Sequence, residues 1–114
     1  MTTDQKAVEI ARRAAEIIQQ RGKATGHFID DLNRVCTLGA MQVAIDELVL
    51  RLSLSDEKSY SYWMAGSRLG DKISAVIKGQ GALSIANWSD LPSTTEQDIA
   101  KMFLQLADEL EVEE

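Results

Sequence analysis

The stretch Thr37–Leu52, TLGAMQVAIDELVLRL, reads as one amphipathic helix. Leu38, Met41, Ile45, Leu48 and Leu52 step by three, four, three and four residues, so they share one face of a 3.6-residue repeat. Ala44 and Val49 widen that face. Thr37 is the expected cap, which puts Gly39 and Ala40 in the first turn, where glycine costs less than in a helix interior.

The same periodicity appears on both sides of this stretch. From Thr3 or Asp4 to Arg21, the residues Ala7, Val8, Ala11, Ala14, Ala15 and Ile18 form a second stripe. Thr3 or Asp4 can cap it, and Gly22 is a left-handed stop. Ser53 to Asp56 reads as a polar linker. A third helix runs from about Asp56 or Ser59 to Lys78, burying Tyr62, Ala65, Leu69, Ile73, Val76 and Ile77. Gly66 and Gly70 lie four apart on one face, where they admit a close neighbour or mark a bend. Gly79 and Gly81 end this helix. Ala82 to Trp88 is a short apolar patch of one or two helical turns, and Asp90-Leu91-Pro92 is a turn. The last helix starts at Thr95, where Thr95-x-x-Asp98 has capping-box form and Ser93-x-x-Glu96 is a competing register, and runs to about Leu110 with Ile99, Met102, Phe103, Leu106 and Leu110 inward. Residues 110–114 end the chain as an acidic tail expected to fray.

Between the first two stripes, Gly22 to Val35 breaks the pattern. Turn formers Gly22, Thr25, Gly26, Asp30, Asp31 and Asn33 bracket two apolar patches, His27–Ile29 and Leu32–Val35. A two-stranded hairpin turning near Asp31–Asn33 and an irregular ordered loop both fit. The expected architecture is therefore all-α: a compact four-helix single domain over residues 1–114, with an irregular or hairpin-like segment between helices 1 and 2.

Composition supports one domain. The chain has 114 residues, 45% of them hydrophobic and 26% charged, with a single proline and few aromatics. No apolar run approaches the ~20 residues that span a bilayer. The polar start MTTDQKAVEI has no signal-peptide form, which leads us to expect a cytoplasmic protein. One cysteine excludes an intrachain disulfide and a cysteine-rich zinc site. A net charge of −6 argues against binding nucleic acid or an anionic membrane. We expect no cofactor and no metal.

Two stretches carry a resemblance. The first is Val35-Cys36-Thr37-Leu38-Gly39-Ala40, and the second is Ile85-Ala86-Asn87-Trp88-Ser89-Asp90-Leu91-Pro92-Ser93-Thr94-Thr95. In order and spacing they resemble the DUF6197 family of small actinobacterial and phage proteins of unknown function. That family has a Cys-x-Leu-Gly-Ala box opening its second helix and a Trp-Asn-Asp-x-Pro-Gly-Arg-Thr box leading into its last. This chain has Ser89 for the asparagine, Ser93-Thr94 for the Gly-Arg pair, and Asn33 for a glycine usual before the first box. If the family arginine serves a ligand, this chain lacks it at that position. The resemblance implies an architecture and supplies no reaction.

Few residues carry chemistry by type. Cys36 is the only thiol and His27 the only imidazole. Together they form a weak candidate for a nucleophile and base, with Asp30, Asp31 or Asp90 as orienter. Beside Val35 and Leu38, packing is the preferred reading of Cys36. No ligand spacing for a metal and no phosphate loop is present. Trp88 and Asp90 are either part of a ligand pocket roofed by the Gly22–Val35 segment or, as we prefer, a core plug and a turn carboxylate. Tyr60, Tyr62, Trp63 and Met64 crowd one and a half turns and cannot all face one core. Tyr60, Trp63 and Met64 are the candidate partner-binding residues. The functional expectation is a non-enzymatic interaction module that binds and modulates a host protein, with a homodimer as a further partner. The alternatives are a small-molecule binder or a thiol-dependent enzyme around His27, Cys36, Trp88 and Asp90.

Overall fold

The structure, a computed structural model, describes residues 2–52 and 55–112. These form helices α1 (Thr3–Arg21), α2 (Thr37–Arg51), α3 (Asp56–Lys78), α4 (Ile85–Asp90) and α5 (Glu96–Val112). The fold is all-α as expected. Five helices replace the four because the patch around Trp88 closes into a short helix of its own, capped by Ser84. The linker residues Ser53 and Leu54, and the tail residues Glu113 and Glu114, lie outside the described residues. Leu110, assigned to a frayed tail, is instead buried on α5, which continues to Val112.

Helix α1 sits at the centre and packs against α2, α3 and α5. Its alanines explain this position. Ala7, Ala11, Ala14 and Ala15 are fully or almost fully buried, and their small side chains let neighbouring helices approach closely. Ile10 and Ile17 are buried as well, outside the expected stripe, because three helices cover α1 on different sides. Helix α5 runs antiparallel to it. Arg12 pairs with Glu111 at 2.8 Å at one end, while the Lys23 amide donates to Glu96 Oε1 at the other. Arg13 pairs with Glu47 at 2.6 Å and ties α1 to α2.

Local signals set the ends. Thr2, one residue before the expected cap, forms a capping box with Gln5. Thr95 and Asp98 form the expected box on α5: each backbone N–H donates to the other's side chain, at 2.9 and 3.1 Å. At Gly66 a Cβ would lie 2.7 Å from Ile45 Cδ1, so this glycine admits α2, whereas Gly70 faces open space.

The segment after Gly22 is neither a strand pair nor a free loop. Val35, fully buried, bridges Lys23 in parallel and Ile29 in antiparallel sense, one residue each. A tight turn spans Asp30 to Arg34, with Asn33 at φ +62°. Both sequence readings thus hold in part: a minimal hairpin turn inside an irregular segment.

Candidate functional site

The two sequence boxes meet under this segment. Cys36 caps α2, its Sγ accepting the Gly39 N–H at 3.4 Å, in the place expected for Thr37. Thr37 is instead the first helical residue and is fully buried. Its N–H and its hydroxyl both donate to Ser89 Oγ of α4, at 3.1 and 3.0 Å. A first-turn N–H has no partner within its helix, so Ser89 satisfies a donor that would otherwise be buried unpaired.

Gly39 has a separate role. The Phe28 carbonyl oxygen lies 1.9 Å from where a Cβ on Gly39 would be. The same oxygen accepts the Cys36 N–H at 3.1 Å. The loop backbone therefore docks onto the first turn of α2 at a distance only glycine permits.

Other side chains hold the remainder of the segment. Asp90 Oδ1 accepts the Gly26 N–H at 3.0 Å. This carboxylate serves a loop far away in sequence rather than the turn before Pro92. Lys23 Nζ donates to the Leu91 and Thr94 carbonyls at 2.7 and 2.6 Å. Burial pushes its pKa down, against the opposing pull of Asp90 and Asp98. Asp30 closes the tight turn on the Leu32 and Arg34 amides and the Arg34 guanidinium. Burial raises its pKa, but these hydrogen bonds outweigh it and the net shift is downward.

Within this frame, Gly26, His27, Phe28, Cys36, Ala86 and Asp90 line a cleft of about 330 Å³. The fold thus brings together the thiol, the imidazole and one of the three candidate orienters. Asp30 and Asp31 line a second hollow at the loop tip, which His27 borders as well but Cys36 does not. Cys36 is buried and His27 exposed, and no hydrogen bond joins them among the described residues. Trp88 does not line this cleft. Its indole is buried, with Nε1 donating to Gln80 Oε1 at 3.0 Å, and it borders a separate hollow of about 470 Å³ together with Asp98, Lys101 and Met102 of α5. Among the described residues, no group of three acidic, histidine or cysteine side chains is placed to hold a metal. No helix among them is long and apolar enough to cross a membrane.

Two clusters of neighbouring apolar residues stand among the exposed ones. Tyr60, Trp63 and Met64 of α3 are 66%, 43% and 51% exposed, while Tyr62 between them turns inward beneath Lys6. Phe28, Ile29 and Leu32 of the anchored segment are exposed as well. The sequence reading placed these three in its apolar patches His27–Ile29 and Leu32–Val35 and gave them no functional role. Their signal was present: large apolar residues in a stretch without helical or alternating period.

A model of a family of unknown function, DUF6197, matches residues 2–109, nearly the whole chain. Nothing among curated proteins or solved structures matches it.

Proposed function

We propose that this chain, which belongs to the DUF6197 family of unknown function, is a non-enzymatic module that binds a partner protein through α3 and occludes its surface. The observation that carries the reading is the joint exposure of Tyr60, Trp63 and Met64 on a helix whose other face is fully packed. Three large side chains about half exposed offer on the order of 300 Å². That is below the ~800 Å² per partner of a stable interface. The patch therefore serves as the anchor cluster, and polar residues around it complete the contact. The net charge of −6 selects a partner whose groove is rimmed by basic residues and steers the encounter. A host protein modulated by occlusion fits this chemistry.

The test compares the wild type with the triple variant Tyr60→Ala/Trp63→Ala/Met64→Ala in capture from the natural host, read by mass spectrometry. A single protein held by the wild type and lost by the variant, with the same melting midpoint for both, supports the reading. Equal retention by both overturns it.

A second reading has one observation in its favour, the shared cleft of His27, Cys36 and Asp90. There the chain would be a thiol enzyme or a binder of a small ligand. Iodoacetamide separates the readings: labelling of Cys36 in the folded protein at neutral pH supports thiol chemistry. A thiol that reacts only after unfolding removes it.

A further inference from the structure

We infer that residues 25–34 form a flap, latched shut by Asp90, whose opening as one piece removes a wall of the cleft beside Cys36. None of these residues is buried, although Phe28, Ile29 and Leu32 are among them. The flap therefore keeps its place without burying its own side chains. Few buried apolar contacts, with hydrogen bonds close to solvent, mark the segments of a fold that open at the lowest cost.

The base of the flap is fixed. Ala24 and Val35 flank it and are both fully buried. The Ala24 N–H donates to the Val35 carbonyl at 2.9 Å, and the Val35 N–H donates to the Gly22 carbonyl at 3.0 Å. Lys23 Nζ ties this base to the Leu91 and Thr94 carbonyls. Just beyond it, Gly26 has φ +79°, and a Cβ there would meet nothing within 4 Å, so the chain has room to pivot. The tip is bonded to itself. The Asp30 N–H donates to the Arg34 carbonyl and the Asn33 N–H to the Asp30 carbonyl, each at 3.0 Å. The Asp30 carboxylate accepts the Leu32 and Arg34 amides as well. A tip closed in this way moves as a unit.

Among the described residues, two hydrogen bonds join the flap to the body of the protein. The Gly26 N–H donates to Asp90 Oδ1 at 3.0 Å, and the Cys36 N–H donates to the Phe28 carbonyl at 3.1 Å. They form the latch, and both stand at the cleft of about 330 Å³. Gly26, His27 and Phe28 of the flap line one part of that cleft, and Cys36, Ala86 and Asp90 of the body line the other. The second hollow, of about 470 Å³, is lined by Lys23 and the flap alone, so the tip has no packed neighbour on that side. The flap is thus a gate to the cleft, and it stands apart from the α3 reading and from any chemistry of the thiol.

Native-state hydrogen exchange on the full chain, resolved by residue, tests the gate. In the wild type the Cys36 amide is expected to be at least about tenfold less protected than the Val35 amide, with little dependence on urea, because opening the flap exposes little surface. Asp90→Ala removes one half of the latch, and Asp90 bonds to neither Cys36 nor Phe28. It is expected to lower the protection of Cys36 by about fivefold or more. Val35 in the base and Arg34 in the tip keep their wild-type protection. Asp90→Asn retains an acceptor oxygen and is expected to stay within about threefold of the wild type. Unchanged protection at Ile17 in the core checks that the fold is intact. Should Asp90→Ala not fold, the wild-type comparison of Cys36 with Val35 decides alone. A Cys36 amide as protected as that of Val35 overturns the inference. So does an Asp90→Ala protein in which Cys36 keeps its protection or Arg34 loses as much, or an Asp90→Asn protein no better protected than Asp90→Ala.

Discussion

Replacing Gly39 by alanine would set a Cβ 1.9 Å from the Phe28 carbonyl oxygen. Ordinary contact starts near 3.4 Å. The loop backbone must therefore retreat by well over an ångström, and backbone cannot swing aside as a side-chain tip can. The retreat breaks the bond from the Cys36 N–H to that oxygen, a loss of about 1 kcal/mol. Overpacking adds about 1–3 kcal/mol. Alanine's better helix propensity returns at most about 1 kcal/mol. The net is a loss of roughly 2 kcal/mol, or about 8 °C in melting midpoint at roughly 4 °C per kcal/mol for a domain of this size. Two other glycines serve as internal controls. Gly70 faces open space within α3, so Gly70→Ala is expected to stabilise by about 1 kcal/mol. Gly66 meets only the flexible tip of Ile45, so Gly66→Ala is expected to change little. Thermal and urea unfolding followed by circular dichroism read all three. Hydrogen exchange adds a local readout, since the Cys36 amide should exchange faster in Gly39→Ala. A Gly39→Ala protein as stable as the wild type, or a Gly70→Ala protein destabilised equally, would refute the docking argument.

Three further predictions rest on single contacts. Ser89→Ala leaves the Thr37 N–H and hydroxyl without their shared acceptor in a buried site, at a cost of about 2 kcal/mol by urea unfolding. Adding Thr37→Val to it should cost less than the two single losses summed, and full additivity would count against the coupling. Glu47 has its folded pKa lowered, first by the Arg13 hydrogen bond. A carboxylate shifted this way stabilises the fold above its unfolded pKa, and the contribution is lost as pH falls through the folded value. Arg13→Gln should therefore flatten the acid limb of the stability curve, and an unchanged limb would exclude the pair as its source. Trp63→Ala should lower the melting midpoint by no more than about 5 °C, since close to half of the side chain is already in water. A larger drop would mean that Trp63 belongs to the core.

What the sequence carried legibly was local. The stripe that begins at Leu38 placed α2, although its last member, Leu52, caps the helix and is exposed, and the Thr95–Asp98 box, one of two registers the sequence offered, caps α5 just before Glu96. Caps at α1 and α2 each lay one residue earlier than expected. At Cys36 the reason is chemical: sulfur is an uncommon acceptor at that position, so Thr37 was the natural choice. Non-local contacts left no comparable trace. Phe28 on Gly39, Thr37 on Ser89 and Gly26 on Asp90 join parts of the chain that no period relates. The glycine of the first box thus read as a tolerated helix residue, although its purpose is a close approach from another segment. Ile10 and Ile17 fell off the stripe for a similar reason. A stripe describes one buried face, and α1 is covered by three helices.

The same contacts bear on why apolar side chains remain in water. Exposed phenylalanine and leucine in a small domain can signal a core that failed to close. Here the core is closed: among the described residues no buried side-chain nitrogen or oxygen lacks a partner, and α1 is packed along its length. The segment bearing Phe28, Ile29 and Leu32 is moreover the best-anchored irregular stretch, held by the Phe28 carbonyl, Asp90, Lys23 and Asp30. Those bonds fix the backbone and leave the apolar side chains outward. A segment that only connected two helices would need neither, since a short polar turn closes the same gap at lower conformational cost. Holding apolar groups in a fixed outward geometry lowers the ordering cost when another surface covers them. On this reasoning the two boxes act at a distance, Ser89 on Thr37 and Asp90 on Gly26, to hold this segment in place.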